Sequence, residues 1–183
     1  MDKAAVRKYV KEQKQALCRE QMSAEAALTF AAIEALPCFQ QARNVLMYYS
    51  LPDELPTHAF VKQWALQKRI FLPRVKGDDL EIAEYGALER EPRFGIEEPV
   101  APAVDPALID LVIVPAVALD AQGNRVGRGK GYYDRLLPQC RNAVKIGVCF
   151  QCQMLEHLPT EAHDAPLDAV VTALNTIFIK PQG

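Results

Sequence analysis

The chain lacks a long apolar run, a basic excess and a secretion signal, and each absence narrows what it does. No stretch of its 183 residues approaches the roughly 20 apolar residues of a membrane-spanning helix. The opening segment, MDKAAVRKYVKEQKQAL, is too charged for a signal peptide. A net charge of -2 argues against a general polyanion binder, which carries a surplus of Lys and Arg. Five cysteines, an odd number without a secretion signal, predict reduced thiols and a cytoplasmic location. Cys149 and Cys152 have redox-type spacing, but no second pair completes a zinc set, and small packing residues are the expectation. The three histidines, His58, His157 and His163, lack metal-ligand spacing. No internal repeat or low-complexity tract is present.

What remains is ordinary in bulk: half the residues are apolar and 24% charged, and the length suits one domain spanning 1–183. Val6, Tyr9, Val10 and Leu17 recur with helical period. Ser23 is placed to cap a second helix running to about Leu36, which Pro37 ends. NVLMYYS (44–50) predicts a buried strand, HAFVKQWALQK a helix capped by Thr57, RIFLPRV (69–75) a strand, and DLEIAEY (79–85) a half-exposed strand. Residues 86–107, with four prolines, predict a long surface excursion of the kind that often covers a site. LIDLVIVPA (108–116) and AVKIGVCF (143–150) predict buried strands, YYDRLL the start of a helix, and DAVVT (168–172) and TIFIK (176–180) two short closing strands. Strands alternating with helices, several apolar on both faces, predict an α/β fold with a mostly parallel sheet.

One segment departs from the bulk. GNRVGRGKGYYDRLL (123–137) holds four glycines and four basic side chains in fifteen positions. It follows a buried strand and precedes a helix start, where ligands of open α/β sheets bind. Glycines let backbone N–H groups approach and surround an anion, the following helix presents its positive end, and Arg125, Arg128 and Lys130 add full charges. Phosphate is the natural guest. The loop is neither a Walker A motif, since Gly131 follows Lys130, nor a dinucleotide fingerprint, since Gly127, Gly129 and Gly131 are spaced G-x-G-x-G. Asp134 on the incipient helix either offsets the helix dipole or ligates Mg²⁺, and both roles are compatible.

The stretch GNRVGRGKGYYD resembles the signature of the 5-formyltetrahydrofolate cyclo-ligase family, whose enzymes are also called methenyltetrahydrofolate synthetases. The resemblance covers nearly the whole chain. Lys3-Ala4-Ala5-Val6-Arg7 is similar to the family's nucleotide-contacting helix, and YYSLPDELPT (48–57) to its folate-binding turn. RFGIEEP (93–99) resembles a substrate segment, and LPTEAHDAPLDAVVT (158–172) the closing motif. Beyond it the family commonly carries an acidic residue and a glycine, where this chain reads Ala173-Leu174-Asn175.

The resemblance implies a three-layer α/β/α sandwich and ATP-dependent, Mg²⁺-dependent conversion of 5-formyltetrahydrofolate to 5,10-methenyltetrahydrofolate. By position, Lys3, Ala4, Ala5, Val6 and Arg7 would contact ATP. So would the run Arg125, Val126, Gly127, Arg128, Gly129, Lys130, Gly131, Tyr132 and Tyr133. Tyr49, Glu54 and Phe94 would meet the folate, together with Arg128, Gly129, Lys130, Gly131 and Tyr132. Lys130 and Arg128 would be catalytic, and Asp134 and Asp164 would hold the metal. No nucleic acid, membrane or obligate protein partner is implied. Two rival functions share the loop: a non-catalytic nucleotide or sugar-phosphate sensor, which has no need of Glu54, and an RNA-binding module stacking bases on Tyr132 and Tyr133.

Overall fold

The computed structural model describes residues 1–93 and 95–180. Five parallel strands form the centre of an eight-stranded sheet: β1 (Asn44–Leu46), β2 (Arg69–Lys76), β7 (Leu111–Pro115), β10 (Val144–Val148) and β11 (Ala169–Val171). Antiparallel β3 (Asp79–Glu84) and β6 (Ala103–Val104) extend one edge, and antiparallel β12 (Thr176–Phe178) the other. The spatial order is β12-β11-β10-β7-β1-β2-β3-β6.

Both faces of the parallel strands are buried along their apolar stretches, such as Ile70–Leu72 of β2 and Leu111–Val114 of β7. Leu111 and Ile113 point to one face, where they join Phe30 and Ile33 of α2 (Arg19–Glu34), Phe39 of α3 (Pro37–Gln41), and Phe60 and Val61 of α4 (His58–Trp64). Val112 and Val114 point to the other and pack with Leu119, Leu136, Leu137 and Leu167. That second layer consists of short α5 (Tyr132–Leu136), the 3₁₀ turn Leu137–Gln139 and a ribbon of β8 (Ala118–Leu119) with β9 (Arg125–Val126). Val6 and Val10 of α1 (Lys3–Lys14) pack on Ala118, Val126 and Leu158, so α1 lies across the ribbon. The arrangement is a mixed α/β fold whose sheet is mostly parallel, sandwiched between two layers.

Several boundaries differ from expectation. Ser23 lies inside α2, which starts earlier: Cys18 is the cap residue, and the Gln21 side chain reaches back to accept from its backbone N–H at 2.9 Å. Thr57 does precede α4, but its hydroxyl donates to the Tyr48 carbonyl at 2.8 Å instead of capping the helix. The segment 86–107 is more ordered than its prolines suggest: β4 (Leu88–Arg90) pairs with β5 (Glu97–Pro99), and β6 joins the main sheet. These strands are two or three residues long, too short for a period to register. The helix after the glycine loop spans only five residues, so the pole expected of its dipole is weak. At 173–175, where the sequence departs from the pattern common in the family, the Thr172 hydroxyl accepts from the backbone N–H groups of Leu174 and Asn175 at 3.4 and 3.2 Å and closes the turn.

Candidate active site

The strand order puts a crevice at one end of the sheet. From β1 the chain moves outward to β2 on one side and later to β7 on the other, so the loops leaving the carboxyl ends of β1 and β7 diverge. Ligands of open α/β sheets bind at such a switch point. Here a cavity of about 740 Å³ lies between the 48–54 turn after β1 and the glycine loop beyond β7. The size is that of small-molecule sites.

Each wall has a local cause. Buried Asp120 accepts from the backbone N–H groups of Gln122 and Asn124 through Oδ1 and from Leu158 through Oδ2, which builds the ribbon's turn and ties the closing segment to it. Gly129 and Gly131 have φ of 101° and 68°, conformations that side chains resist, so the backbone curls there only because these are glycines. A Cβ at Gly127 would lie 2.7 Å from Arg125 Nη1. Arg7 donates from Nε to the Gly127 carbonyl at 2.7 Å, docking α1 on the loop. Arg135 donates from Nη2 to the Lys130 carbonyl at 3.0 Å and from Nε to Asp79, so the other end is held to the β2–β3 turn.

The glycine loop and the 48–54 turn meet across the cleft. Arg128 donates to Asp53 at 2.7 Å through Nη2 and to Glu54 at 3.2 Å through Nε. Burial opposes the Arg128 charge, but the two carboxylates outweigh it and raise its pKa. Glu54 also accepts from the Leu51 N–H at 2.9 Å, so the turn itself orients its carboxylate. Tyr49, which lines the cavity, is stacked on His58 with ring centroids 3.7 Å apart and lies 6.3 Å from the Tyr85 ring.

Beside the loop, Lys3 donates to Asp164 at 2.6 and 2.8 Å and to Glu161 at 2.6 Å. Burial works to raise the Asp164 carboxyl, yet Lys3 and the Glu161 backbone N–H hold it below the usual carboxylate range. Single donor atoms of Glu161, His163 and Asp164 all lie within 4.8 Å of one another. Asp134 also lines the cleft; Arg125 Nη2 and the Ala165 N–H both contact its Oδ1 at 3.1 Å.

Of the residues expected at the nucleotide, Lys3, Arg7, Arg125, Gly127, Arg128, Gly129, Lys130, Gly131, Tyr132 and Tyr133 line the cavity. Ala4 and Ala5 are exposed on α1 away from it, while Val6 and Val126 pack together beneath. Arg125 is buried and paired with Asp134. Tyr49, Glu54 and both expected metal ligands line the cavity; Phe94 lies outside the described residues. Sequence reasoning passed over Asp53, Lys14, Glu161 and Arg135. Lys14 shares a helix face with Lys3 and Arg7, a spacing legible in principle. Burial pushes the Cys149 thiol far above its ordinary value and raises Cys152 as well, which disfavours the reactive thiolate at both spaced cysteines. No helix among the described residues is long and apolar enough to cross a membrane.

A model of the 5-formyltetrahydrofolate cyclo-ligase family matches residues 1–173. The chain belongs to that family. The cyclo-ligase of Haemophilus influenzae is 33% identical over 159 residues, covering 81% of this chain and 84% of its own. That of Escherichia coli K12 is 30% identical over 174 residues, covering 89% and 96%. Among solved structures, the Aquifex aeolicus 5,10-methenyltetrahydrofolate synthetase superposes with a TM-score of 0.89 at 32% identity, covering all of this chain and 95% of that one. A Mycoplasma pneumoniae synthetase has the same fold, with a TM-score of 0.77 at 24% identity over 94% and 99% of the two chains. For a cyclo-ligase of this family, the cleft at the β1/β7 switch point is the candidate active site.

Proposed function

We propose that this protein catalyses the cyclisation of 5-formyltetrahydrofolate to 5,10-methenyltetrahydrofolate, using ATP with Mg²⁺ and releasing ADP and phosphate. The observation that carries the reading is the meeting of a phosphate-suited loop with a pterin-suited acid: Arg128 spans from the glycine loop to Glu54 within one cavity.

A formamide is a poor electrophile, because its nitrogen donates into the carbonyl and its oxygen is a poor leaving group. Phosphorylation of the formyl oxygen cures both faults. The new O–P bond forms as the bond from the terminal phosphorus to ADP breaks. N10 then attacks the formyl carbon and loses its proton to solvent, and phosphate departs carrying the formyl oxygen. Such a reaction needs no protein nucleophile; it needs position and charge. Backbone N–H groups of 127–131 and the side chains of Arg128 and Lys130 would neutralise charge on the transferring phosphoryl group. Lys3 and Arg7 would hold the nucleotide from α1. Glu54 would accept from the amino-bearing edge of the pterin, with Tyr49 beside the ring.

Hard oxygen donors at Asp134 and Asp164 suit Mg²⁺, and Lys3 already rests as a cation on Asp164. Mg²⁺ bound there would screen the phosphate oxygens. Asp134 would offer Oδ2, since both its protein contacts fall on Oδ1. The experiment is to mix protein, 5-formyltetrahydrofolate and MgATP and follow the absorbance of methenyltetrahydrofolate. It should rise only when nucleotide and divalent ion are both present. No rise with folded protein would end the reading.

A further inference from the structure

Glu54 cannot fully serve a pterin while the cleft is as it stands. A pterin edge presents two parallel donors, N3–H and the 2-amino group, and so calls on both carboxylate oxygens. Oε2 already accepts from the Leu51 N–H at 2.9 Å and Oε1 from Arg128 at 3.2 Å. What limits the Arg128 claim on Glu54 is the neighbouring acid. Asp53 takes Nη2 at 2.7 Å, while Nη2 and Nε also lie 3.1 and 3.2 Å from Glu54 Oε1, so the guanidinium is divided and meets one oxygen of Glu54 instead of resting as a full fork on both. Asp53 is itself fixed from behind: Lys14 of α1 donates to its Oδ2 and to its backbone carbonyl, both at 2.8 Å. Burial would raise the Asp53 carboxyl, but Lys14 and Arg128 together hold it low, so it is a committed anion at neutral pH.

We propose that Asp53 is a positioning residue that divides Arg128 between the two ligand sites, keeping the guanidinium from closing on both oxygens of Glu54 and so loosening its hold on the pterin acceptor before nucleotide arrives. The inference rests on the roles given above to Glu54 and Arg128. Asp53 touches neither substrate; it acts through Arg128. Two consequences have opposite signs. Asp53 competes with the nucleotide's phosphates for Arg128, so removing its charge strengthens nucleotide binding. Without Asp53 the fork turns wholly onto Glu54, so the same change weakens folate binding.

The test is calorimetric titration of wild type and Asp53→Asn with a non-hydrolysable ATP analogue plus Mg²⁺, and separately with 5-formyltetrahydrofolate alone. The variant should bind the analogue roughly two- to five-fold tighter and the folate roughly two- to five-fold weaker, the range of partly exposed ion pairs. Simple loss of negative charge would tighten both anionic ligands, and structural damage would weaken both; either pattern overturns the proposal. Asp53→Ser repeats the measurement with a different side chain, and Lys14 retains its bond to the backbone carbonyl at 53 in each. In an Arg128→Met background the folate shift should vanish; a shift of undiminished size there also overturns the proposal. Wild type that binds neither ligand refutes the reading of the cleft itself and takes this inference with it, whereas wild type that binds both isolates the failure to Asp53.

Discussion

Replacing Arg125 by Met separates a structural cation from a ligand contact. The Arg125 side chain is 5% exposed, and its Nη2 lies 3.1 Å from Asp134 Oδ1. Its guanidinium also sits 5.6 Å from the Tyr133 ring centroid. Methionine keeps much of the stem's volume and adapts to irregular space, so the main loss is charge. Asp134 would retain only the Ala165 N–H on Oδ1. Breaking a buried pair by removing one partner costs about 3–5 kcal/mol. Two features reduce that here: Asp134 is 18% exposed, and Arg125 Nε is a buried donor with no partner, whose removal is favourable. The expected destabilisation is about 2–3 kcal/mol, which for a chain of this size is a midpoint shift of about 4–12 °C. Urea unfolding at pH 7 of Arg125→Met, Asp134→Asn and the double variant is the assay. The double variant should be more stable than the sum of the singles predicts, by at least about 1 kcal/mol. Stability within about 0.5 kcal/mol of wild type, coupled with a large rise in the ATP KM, would refute the reasoning: the guanidinium would then face the phosphates as the family resemblance implies.

Lys130→Ala should lower kcat about a hundred-fold, the order of one lost oxyanion donor, with little change in unfolding midpoint because Lys130 is exposed; near-normal turnover would remove it from phosphoryl stabilisation. Gly147→Ala in β10 sets a methyl 2.5 Å from Leu167 Cδ1 and 3.1 Å from Leu119, so chemical denaturation should register a loss of about 1–3 kcal/mol. Arg74, 2.7 Å from Glu81, lowers that carboxyl from its ordinary 4.5, while burial opposes. A depressed native pKa contributes stability above about pH 4.5, and the contribution is lost as pH falls through the native value. Glu81→Gln should therefore flatten the acid limb of the stability profile while leaving slopes above pH 6 unchanged.

The sequence made the sheet legible wherever burial writes a pattern several residues long. LIDLVIVPA contains β7 because a strand covered on both faces has no room for polar alternation. The glycine loop was equally plain, since crowded cations on glycines have few uses other than an anion. What stayed hidden were contacts between segments far apart in sequence. Asp53 gains its character from Lys14 and Arg128, 39 and 75 residues away. Glu161 lies three residues before Asp164, but only the fold brings Lys3 onto both. Arg125 reads in sequence as a charge beside the glycines, whereas its burial and its pairing with Asp134 are not visible there.

Labelling the formyl oxygen of 5-formyltetrahydrofolate with ¹⁸O and analysing the inorganic phosphate by mass spectrometry tests the central claim most directly. If the terminal phosphoryl group is delivered to that oxygen, one ¹⁸O per turnover appears in the phosphate. Phosphate free of label, with methenyltetrahydrofolate still accumulating, would contradict it.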